Sequence, residues 1–455
     1  MMKAFFSRQY LYVTIIFLCL VHKSFAQTDF SIIRNQFDHY RQSVLQEKIY
    51  VHTDKNVYLA GEILWFKIYN VDASFHQFLD ISKVVYIDVL DKEQKPVMQT
   101  KLSLKEGLGS GSFVLPEEIS SGMYTMRAYT NWMKNFGPDF LFEKAITILN
   151  TIKAEPINGE SNPKNNYDIQ FFPEGGNLIN GIESRVAFRA IDQFGRSYDL
   201  KGAVVDDKNN NVVDFESSKF GIGSFQFTPG SGINYKASLN LANGDVVVKE
   251  LPQPLSEGYV IYLNRTGDGK IHVSIKSSKN LNGKNVYLFV HSRQQIIETL
   301  SASVTNDGIE FLVDETKLGD GISHFTLFNS ERKPVCERLF FKRPAKQLVI
   351  DALSNSKQVE SRKKVSIDID TKDEIGTAKV ANLSMSVYRV DSLNLFPENI
   401  LSYLWLSSDL KGKVESPEYY FANINAETDR LLDNLMLTHG WRRFRWEDVL
   451  QNKTR

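Results

Sequence analysis

The sequence is poor in cysteine and has no excess of either charge. Only Cys19 and Cys336 occur in 455 residues, which excludes a disulfide-stapled scaffold and a zinc site built from cysteines. The 54 basic and 54 acidic residues cancel, so the chain is neither a basic nucleic-acid-binding arm nor an acidic tail. Aromatic residues are abundant, with 30 Phe and 19 Tyr, and they favour β-strands.

Residues 1–26 have the pattern of a secretion signal. Lys3 and Arg8 precede an apolar segment at 10–21, and residues 24–26 (Ser-Phe-Ala) form a small-x-small cleavage site. The apolar segment is shorter than the roughly 20 residues that span a bilayer, and the rest of the chain has no second candidate span. Cys19 lacks the small residue that precedes a lipoprotein cysteine. We expect an exported, mildly acidic protein of the periplasm or outer membrane, without a transmembrane span after signal removal.

A helix is predicted at 27–47, before the first strands. Ile33, Phe37, Tyr40 and Val44 recur at helical spacing. We expect this apolar stripe to pack on the first domain, and a partner-binding helix is the alternative.

The rest of the mature chain is mainly short β-rich runs separated by turns. Strands at this spacing, without helices between them, indicate tandem antiparallel β-sandwiches of the immunoglobulin or fibronectin-III type. The fold class is therefore mainly β, with a short N-terminal helix and a helical C-terminal segment. The predicted boundaries are 48–151 for the first sandwich, 152–166 for a linker, 167–256 and 257–345 for two further sandwiches, 346–391 for a complete or partial fourth, and 392–455 for the helical segment.

The C-terminal segment contains two candidate helices, at 397–408 and 427–439. The second has an apolar stripe, listed here: Leu431, Leu432, Leu435 and Met436. Asn425 is its candidate N-cap and Gly440 its candidate C′ residue.

Residues 51–67, VHTDKNVYLAGEILWFK, resemble the second macroglobulin (MG2) domain of the alpha-2-macroglobulin family. Asn56 and Ala60 stand where that family has prolines, and the runs at 112–116 and 122–124 also fit. The resemblance implies an MG2-like sandwich over 48–151 and a role in endopeptidase inhibition.

Four later segments resemble envelope proteins of a bacterial branch of this family. They are residues 171–179, 221–229, 403–421 and 432–446. Some members carry a further carboxypeptidase-regulatory-like domain, and some carry a TonB-receptor plug domain. The chain ends at Arg455 before either could begin, so we expect a short member or a part of a longer one.

The reactive thioester of the family is absent. Its Cys-Gly-Glu-Gln motif has no counterpart here, because Cys336 is followed by Glu337, Arg338 and Leu339. Covalent capture of a protease through a thioester is therefore excluded for this chain.

Motifs for catalysis or phosphate binding are also missing. The run GLGSG at 107–111 is neither a nucleophile elbow nor a phosphate-binding loop, and we interpret it as a flexible loop before a strand. The run DKNNN at 207–211 lacks the glycine and glutamate of a calcium loop, so we interpret it as a hairpin turn.

The histidines predict no metal site. The seven after the signal are His39, His52, His76, His272, His291, His324 and His439. None has another histidine three or four residues away, so a zinc site would need ligands converging from separate strands. His291 and Ser292 would point to opposite faces of a strand and could not form a nucleophile–base pair. We predict no catalytic, cofactor-binding or metal-ligating residue.

A basic and aromatic cluster, WRRFRW, lies at 441–446. The structural interpretation is that its arginines pack on the two tryptophans, and a docking surface for an envelope partner is the alternative. Nucleic-acid binding does not suit an exported, mildly acidic chain.

The sequence therefore predicts a non-enzymatic protein that acts by binding proteins of the cell envelope. The first hypothesis is an inhibitor of endopeptidases that works without a thioester, with residues 152–166 as the stretch most open to cleavage. The alternative is a scaffold or accessory of a TonB-dependent outer-membrane uptake system. A hydrolase on a β scaffold would need a nucleophile with a base, and the sequence offers none.

Overall fold

The computed structural model describes residues 31–153, 167–192, 195–241, 244, 246–388, 398–422, 424–439 and 446–451. The predicted signal, most of the predicted linker and Gly440 lie outside these residues. The mainly β fold class is confirmed, with antiparallel sheets in tandem and short helices at both ends. No helix among the described residues is long and apolar enough to cross a membrane.

The first sandwich packs a three-stranded sheet, ordered β1-β3-β6, against a five-stranded sheet, ordered β2-β8-β7-β4-β5. Its pairings are antiparallel except for β2 with β8. The inward faces share one apolar core. The strands are β1 Glu47–Thr53, β2 Val57–Leu59, β3 Ile63–Asp72, β4 Val84–Leu90, β5 Pro96–Ser103, β6 Leu108–Val114, β7 Gly122–Thr130 and β8 Phe142–Leu149.

The GLGSG run is not a loop, so that prediction was wrong. Residues 108–111 lie inside β6 and pair with β3. A Cβ on Gly111 would lie 3.0 Å from the ring of Phe66, so the glycine allows this aromatic side chain to lie across the strand.

The second sandwich contains the sheets β13-β10-β9 and β12-β11-β14-β15. Its strands are β9 Asp168–Pro173, β10 Ser184–Ile191, β11 Leu200–Asp206, β12 Asn211–Glu216, β13 Ile222–Phe227, β14 Tyr235–Leu241 and β15 Val246–Glu250. The predicted hairpin turn between β11 and β12 is confirmed. The Asp206 carboxylate accepts the backbone N–H groups of Lys208 and Asn210, which fixes the turn.

The third sandwich contains the sheets β16-β17-β20 and β19-β18-β21-β22. Its strands are β16 Tyr259–Arg265, β17 Lys270–Ser277, β18 Asn285–Ser292, β19 Gln295–Ser303, β20 Ile309–Asp314, β21 Gly321–Phe328 and β22 Pro334–Lys342. Cys336 is buried in β22, as predicted.

The fourth unit has only two strands among the described residues, β23 Val349–Ser354 and β24 Ile367–Lys372. The last part of the predicted fourth sandwich, 346–391, contains no strand over residues 381–388. This stretch lies against the first sandwich instead, where Lys67 donates to the Leu383 carbonyl at 2.8 Å and Tyr69 donates to Ser384 at 2.8 Å. The hairpin is therefore not closed into a sandwich by the segment that follows it.

The N-terminal helix α1 is described over residues 31–43, and its predicted apolar stripe is buried. The expectation that it packs on the first domain is confirmed only in part. Phe37 lies 5.1 Å from Phe289 of β18 and 5.6 Å from Trp446, measured between ring centroids. The first sandwich contributes buried Phe136 and the half-buried rings of Trp132 and Phe140, so α1 packs on both sandwiches and on the C-terminal segment.

Four short helices follow the fourth unit: α2 Ile400–Trp405, α3 Tyr419–Ala422, α4 Ala426–Thr438 and α5 Trp446–Leu450. The Asn425 side chain accepts the N–H of Thr428 at 3.0 Å, so the predicted N-cap of α4 is confirmed. The predicted apolar stripe of α4 is buried against β22 and the second sandwich. α4 therefore lies across the junction of two sandwiches.

Candidate functional site

The concave surface that we call the edge groove lies where the second sandwich, the third sandwich and α4 meet. Its volume is about 590 Å³. One wall is β9 from its second residue onward, and β9 is an outer strand of its sheet. The other walls are residues 249–252 at the end of β15, residues 337–339 of β22, and Met436 and Leu437 of α4.

A buried network of ionised side chains joins the three elements beside this groove. Arg338 of β22 donates through Nε to Glu174 at 2.8 Å and also binds Asp433 of α4. Arg185 of β10 forms two bonds of 2.9 Å with Glu174 and one with Asp433. The side chains of Glu174 and Arg338 are 0% and 1% exposed, so the network supplies their ionic partners, and Arg338 also donates to the Leu339 carbonyl.

The network balances two cations against two anions. Burial alone would raise the pKa of Asp433, but the guanidinium groups of Arg338 and Arg185 outweigh it and hold that pKa below its usual value. All four groups have partners of opposite charge, so the network fixes the second sandwich, the third sandwich and α4 to one another.

Gly175 allows the two sandwiches to touch at the end of the groove. Its φ is +84°, and a Cβ there would lie only 2.8 Å from Cγ2 of Ile261. Its carbonyl accepts the N–H of Glu337, at 3.3 Å, which forms a single bridge between the two sandwiches. The FFPEGG run is therefore a docking element, since both the turn and the close approach require glycine.

A second cavity, of about 600 Å³, lies between the first sandwich and the C-terminal segment. Lys144 lines it and donates through Nζ to Thr53 Oγ1 at 2.6 Å. Burial lowers the pKa of Lys144 to about 8, although Glu398 and Asp54 oppose the shift. Burial also raises the pKa of Glu398. The cavity thus holds a lysine and a glutamate whose charges are disfavoured.

A third polar junction joins β1 to the C-terminal segment. Lys48, which is 4% exposed, binds Asp409 at 2.7 Å and donates to the Leu404 carbonyl at 3.3 Å. His76 lies 3.3 Å from the Lys48 ammonium group, and its pKa is lowered to about 2 by burial and by the charges of Lys48 and Arg293. This histidine stays neutral and serves the packing of the junction.

Two histidines that are distant in sequence meet across neighbouring strands. His291 of β18 and His324 of β21 stack with ring centroids 4.5 Å apart, and His324 also lies 3.2 Å from Glu337. Sequence spacing could not reveal this pair, because cross-strand neighbours depend on register. Ser292 bonds to Ser323 at 2.6 Å, on the opposite face from the histidines.

The remaining histidines are dispersed. His39 is exposed on α1, His52 contacts Ser384, His272 lies on the surface between Asp268 and Glu310, and His439 is buried at the end of α4. Within the described residues, no group of three or more His, Cys, Asp and Glu side chains is arranged to hold a metal ion.

Only Trp446 of the basic and aromatic cluster lies within the described residues. It begins α5, is buried against Phe289 and Phe328, and donates through Nε1 to Thr326 at 2.9 Å. Its role is to dock the end of the chain on the third sandwich. The predicted packing of the arginines falls outside the described residues.

Comparison with protein families identifies the first sandwich. Residues 48–140 match the model of the MG2 domain. Among solved structures, Escherichia coli alpha-2-macroglobulin activated by porcine elastase is 10% identical over 73% of this chain and 34% of its own length, with a TM-score of 0.23. Dimeric latent PorU from Porphyromonas gingivalis is 12% identical over 65% of this chain and 34% of its own length, with a TM-score of 0.29.

The chain thus spans about a third of the length of either structure, and these TM-scores reflect only weak similarity of overall architecture. A tetra-tandem repeat from the extending region of a large adhesion protein is 13% identical, covers 74% of this chain and 91% of its own length, and has a TM-score of 0.20. The assignment therefore rests on the MG2 match alone, and it extends over residues 48–140.

Proposed function

We propose that this chain is an exported, non-enzymatic protein that inhibits endopeptidases by binding them without a covalent bond. The MG2 match at residues 48–140 carries the proposal, since macroglobulin domains are the building blocks of the alpha-2-macroglobulins. The predicted signal at 1–26 supports export to the periplasm or outer membrane.

The chemistry of Cys336 supports a non-covalent mode. The residue is buried in β22, its Sγ donates to the Tyr259 carbonyl at 3.1 Å, and burial raises its pKa to about 12. A thiol in this state is a poor nucleophile, and the Cys-Gly-Glu-Gln sequence of a thioester is absent. Capture would therefore depend on shape and on surface contacts.

The exposed hairpin of the fourth unit supports protein binding. Every residue of β23 and most of β24 are exposed, including Leu353 at 69%. Ile350, Ile367 and Ile369 add further exposed apolar surface. The register places Ile350, Ile367 and Ile369 on one face of the hairpin, and an exposed apolar face of this kind is typical of protein–protein contacts.

The test is inhibition measured with substrates of two sizes. The mature chain, beginning at Gln27, is mixed with trypsin at equimolar ratio, and cleavage of casein is compared with cleavage of a small chromogenic peptide. A trap that acts by shape is expected to reduce casein cleavage at least fivefold while the small peptide is still cleaved. Equal cleavage of casein with and without the chain would refute the inhibitor function.

A matched pair of variants tests whether cleavage of the predicted linker, residues 152–166, triggers inhibition. K153Q/K164Q removes both lysines from the linker 152–166, whereas K92Q/K95Q removes two lysines from the exposed turn between β4 and β5. If cleavage of the linker triggers inhibition, the first variant loses inhibition and the second retains it. Loss in both variants, or in neither, would contradict a trigger at the linker.

Crosslinking in the native cell envelope addresses the alternative function. Recovery of endopeptidases with the mature chain would support inhibition. Recovery of an outer-membrane transporter without proteases would favour the uptake accessory and would make the protease-inhibitor proposal wrong.

A further inference from the structure

The outer edge of β9 has backbone groups that point into the edge groove. The N–H of Glu174 donates to the Arg185 carbonyl of β10 at 2.8 Å, so residue 174 is a hydrogen-bonded partner of β10. In an antiparallel pair, such residues alternate with residues whose N–H and C=O point away from the partner strand. The backbone N–H and C=O groups of Gln170 and Phe172 therefore point towards β10. Those of Ile169 and Phe171 point outward, away from β10.

Pro173 and Gly175, which follow Phe171 at alternate positions, agree with this assignment of backbone directions. Pro173 occupies an outward position, where its missing N–H costs no ladder hydrogen bond. Gly175, two residues further, uses its outward carbonyl to accept the N–H of Glu337 on β22. The third sandwich thus begins to extend the edge of β9 at one point and then diverges from it.

Along β9 itself, no strand among the described residues pairs with this outer edge. Among the described residues, the outward N–H and C=O groups of Ile169 and Phe171 have no backbone hydrogen bond, and β9 is the last strand of its sheet. Unpaired edge groups of this kind are a template for another strand. The edge offers four hydrogen-bonding groups at the spacing of an extended polypeptide.

The groove beside this edge has the size and lining for a strand. Six residues of β9 extend for roughly 20 Å, and the groove of about 590 Å³ runs along all but its first residue. The side chains of Ile169, Phe171 and Leu251 belong to the core of the second sandwich, and Met436 and Leu437 of α4 line the groove. One face of an inserted strand would meet this apolar lining, and its other face would meet solvent.

We propose that the edge groove binds an extended segment of a partner protein, with apolar residues at alternate positions, as an added strand on β9. The inserted backbone pairs with Ile169 and Phe171, and its apolar side chains pack towards Leu251 and α4. This inference rests on the proposed protein-binding function and assigns the binding mode and the partner's chemistry.

Disulfide trapping tests the site. The full mature chain carrying Q170C is incubated with the peptide acetyl-VTVCVTVT-amide in a thiol–disulfide buffer. Gln170 is exposed and its side chain lies on the outer face of β9, where the peptide cysteine would lie opposite it. The native Cys336 gives little background, because it is buried and its pKa is raised to about 12.

Q99C is the matched control. Gln99 is also an exposed glutamine in an edge strand, β5, but β5 does not border the edge groove. We expect Q170C to be trapped at least tenfold faster than Q99C. Equal rates would show pairing with any exposed edge and would overturn the proposal.

Two methylated peptides test the backbone pairing. N-methylation of the valines removes the N–H groups that face β9, whereas N-methylation of the threonines removes those that face away. The valine-methylated peptide should lose at least tenfold in trapping rate, and the threonine-methylated peptide should lose less. Equal losses would contradict strand addition.

Hydrogen exchange of the wild-type chain identifies the occupant. We expect the Ile169 and Phe171 amides to exchange rapidly in the free protein and slowly with excess acetyl-VTVTVTVT-amide. Slow exchange in the free monomer would mean that the chain fills its own groove, and protection that rises with protein concentration would mean a second copy; either result overturns the proposal. If trapping fails while trypsin is still inhibited, this inference is wrong and the proposed function stands.

Discussion

Replacing Arg338 by methionine should destabilise the junction between the second and third sandwiches. The Arg338 side chain is 1% exposed and donates to Glu174 and to Asp433. Methionine fills similar space but has no charge and no N–H donors. The substitution therefore leaves two carboxylates sharing the single guanidinium of Arg185.

The size of the effect follows from burial. Removing one partner of a buried ion pair costs about 3–5 kcal/mol, because the remaining charge stays in a poorly solvated site. Arg185 still binds Glu174 with two hydrogen bonds of 2.9 Å, so we expect the lower end, about 3 kcal/mol in the free energy of unfolding.

R196M is the matched control. Arg196 also pairs with an aspartate, Asp192, but its side chain is 72% exposed. Exposed pairs contribute about 0–1 kcal/mol, so this variant should unfold almost as the wild type does. The assay is urea unfolding followed by tryptophan fluorescence, with hydrogen exchange in α4 as the local readout. A cost below about 1 kcal/mol for R338M, or equal costs for both variants, would refute this account of the junction.

The difference between wild type and R338M should also depend on pH. The pKa of Asp433 is lowered in the folded protein, so its contribution is present above its unfolded pKa of about 3.9 and is lost as pH falls through the folded value. In R338M the pKa of Asp433 is lowered less. Protonation of Asp433 at low pH therefore removes less of the free energy of unfolding from this variant. The difference in free energy of unfolding between wild type and R338M should therefore become smaller below about pH 4. A difference that grows there would contradict the role of Arg338.

Three further substitutions test the other junctions. F37A should cost about 3–5 kcal/mol and speed hydrogen exchange in α1, because Phe37 is fully buried, whereas I32A at a 43% exposed site should do neither. G175A should destabilise more than G176A in thermal unfolding, since both glycines have positive φ but only Gly175 lacks space for a Cβ. The free energy of unfolding of K144M should exceed that of wild type by the largest margin at neutral pH. Because the pKa of Lys144 falls to about 8, wild type should regain stability between about pH 8 and 10.4, which urea midpoints at pH 7 and 10 would show.

Local sequence patterns predicted the local structure well. The helical spacing from Ile33 to Val44 marks a helix, Asn425 caps α4, and the run at 207–211 forms the turn of a hairpin. In each case the responsible interactions join residues only a few positions apart, so the sequence contains nearly all of the information.

The failures of prediction involve residues whose environment is set by distant parts of the chain. The glycines of GLGSG suggested a loop, but Phe66 from β3 lies across them and needs their lack of side chains. The helix at 31–43 packs on the third sandwich as well as on the expected first one, because an apolar stripe does not say which cores it meets.

The candidate site itself was not predicted. Residues 171–179 stood out only by their resemblance to other envelope proteins, and the bridge of Gly175 to Glu337 and the ion pair of Glu174 with Arg338 join residues 162 and 164 positions apart in the printed sequence. No spacing rule reaches that far, because the contact depends on how two complete sandwiches are oriented.

The polar groups in unusual environments lie where modules meet. Lys48 and Asp409 join β1 to the C-terminal segment, and the Arg338 network joins two sandwiches to α4. Lys144 lies at the border of the first sandwich with the same C-terminal segment. Active sites also shift pKa values, but Lys48 and the Arg338 network are bound to partners that fix one module against another. Their arrangement holds these modules in one orientation. In such a protein the accessible recognition elements are backbone edges and apolar surface, and β9 offers both in one groove.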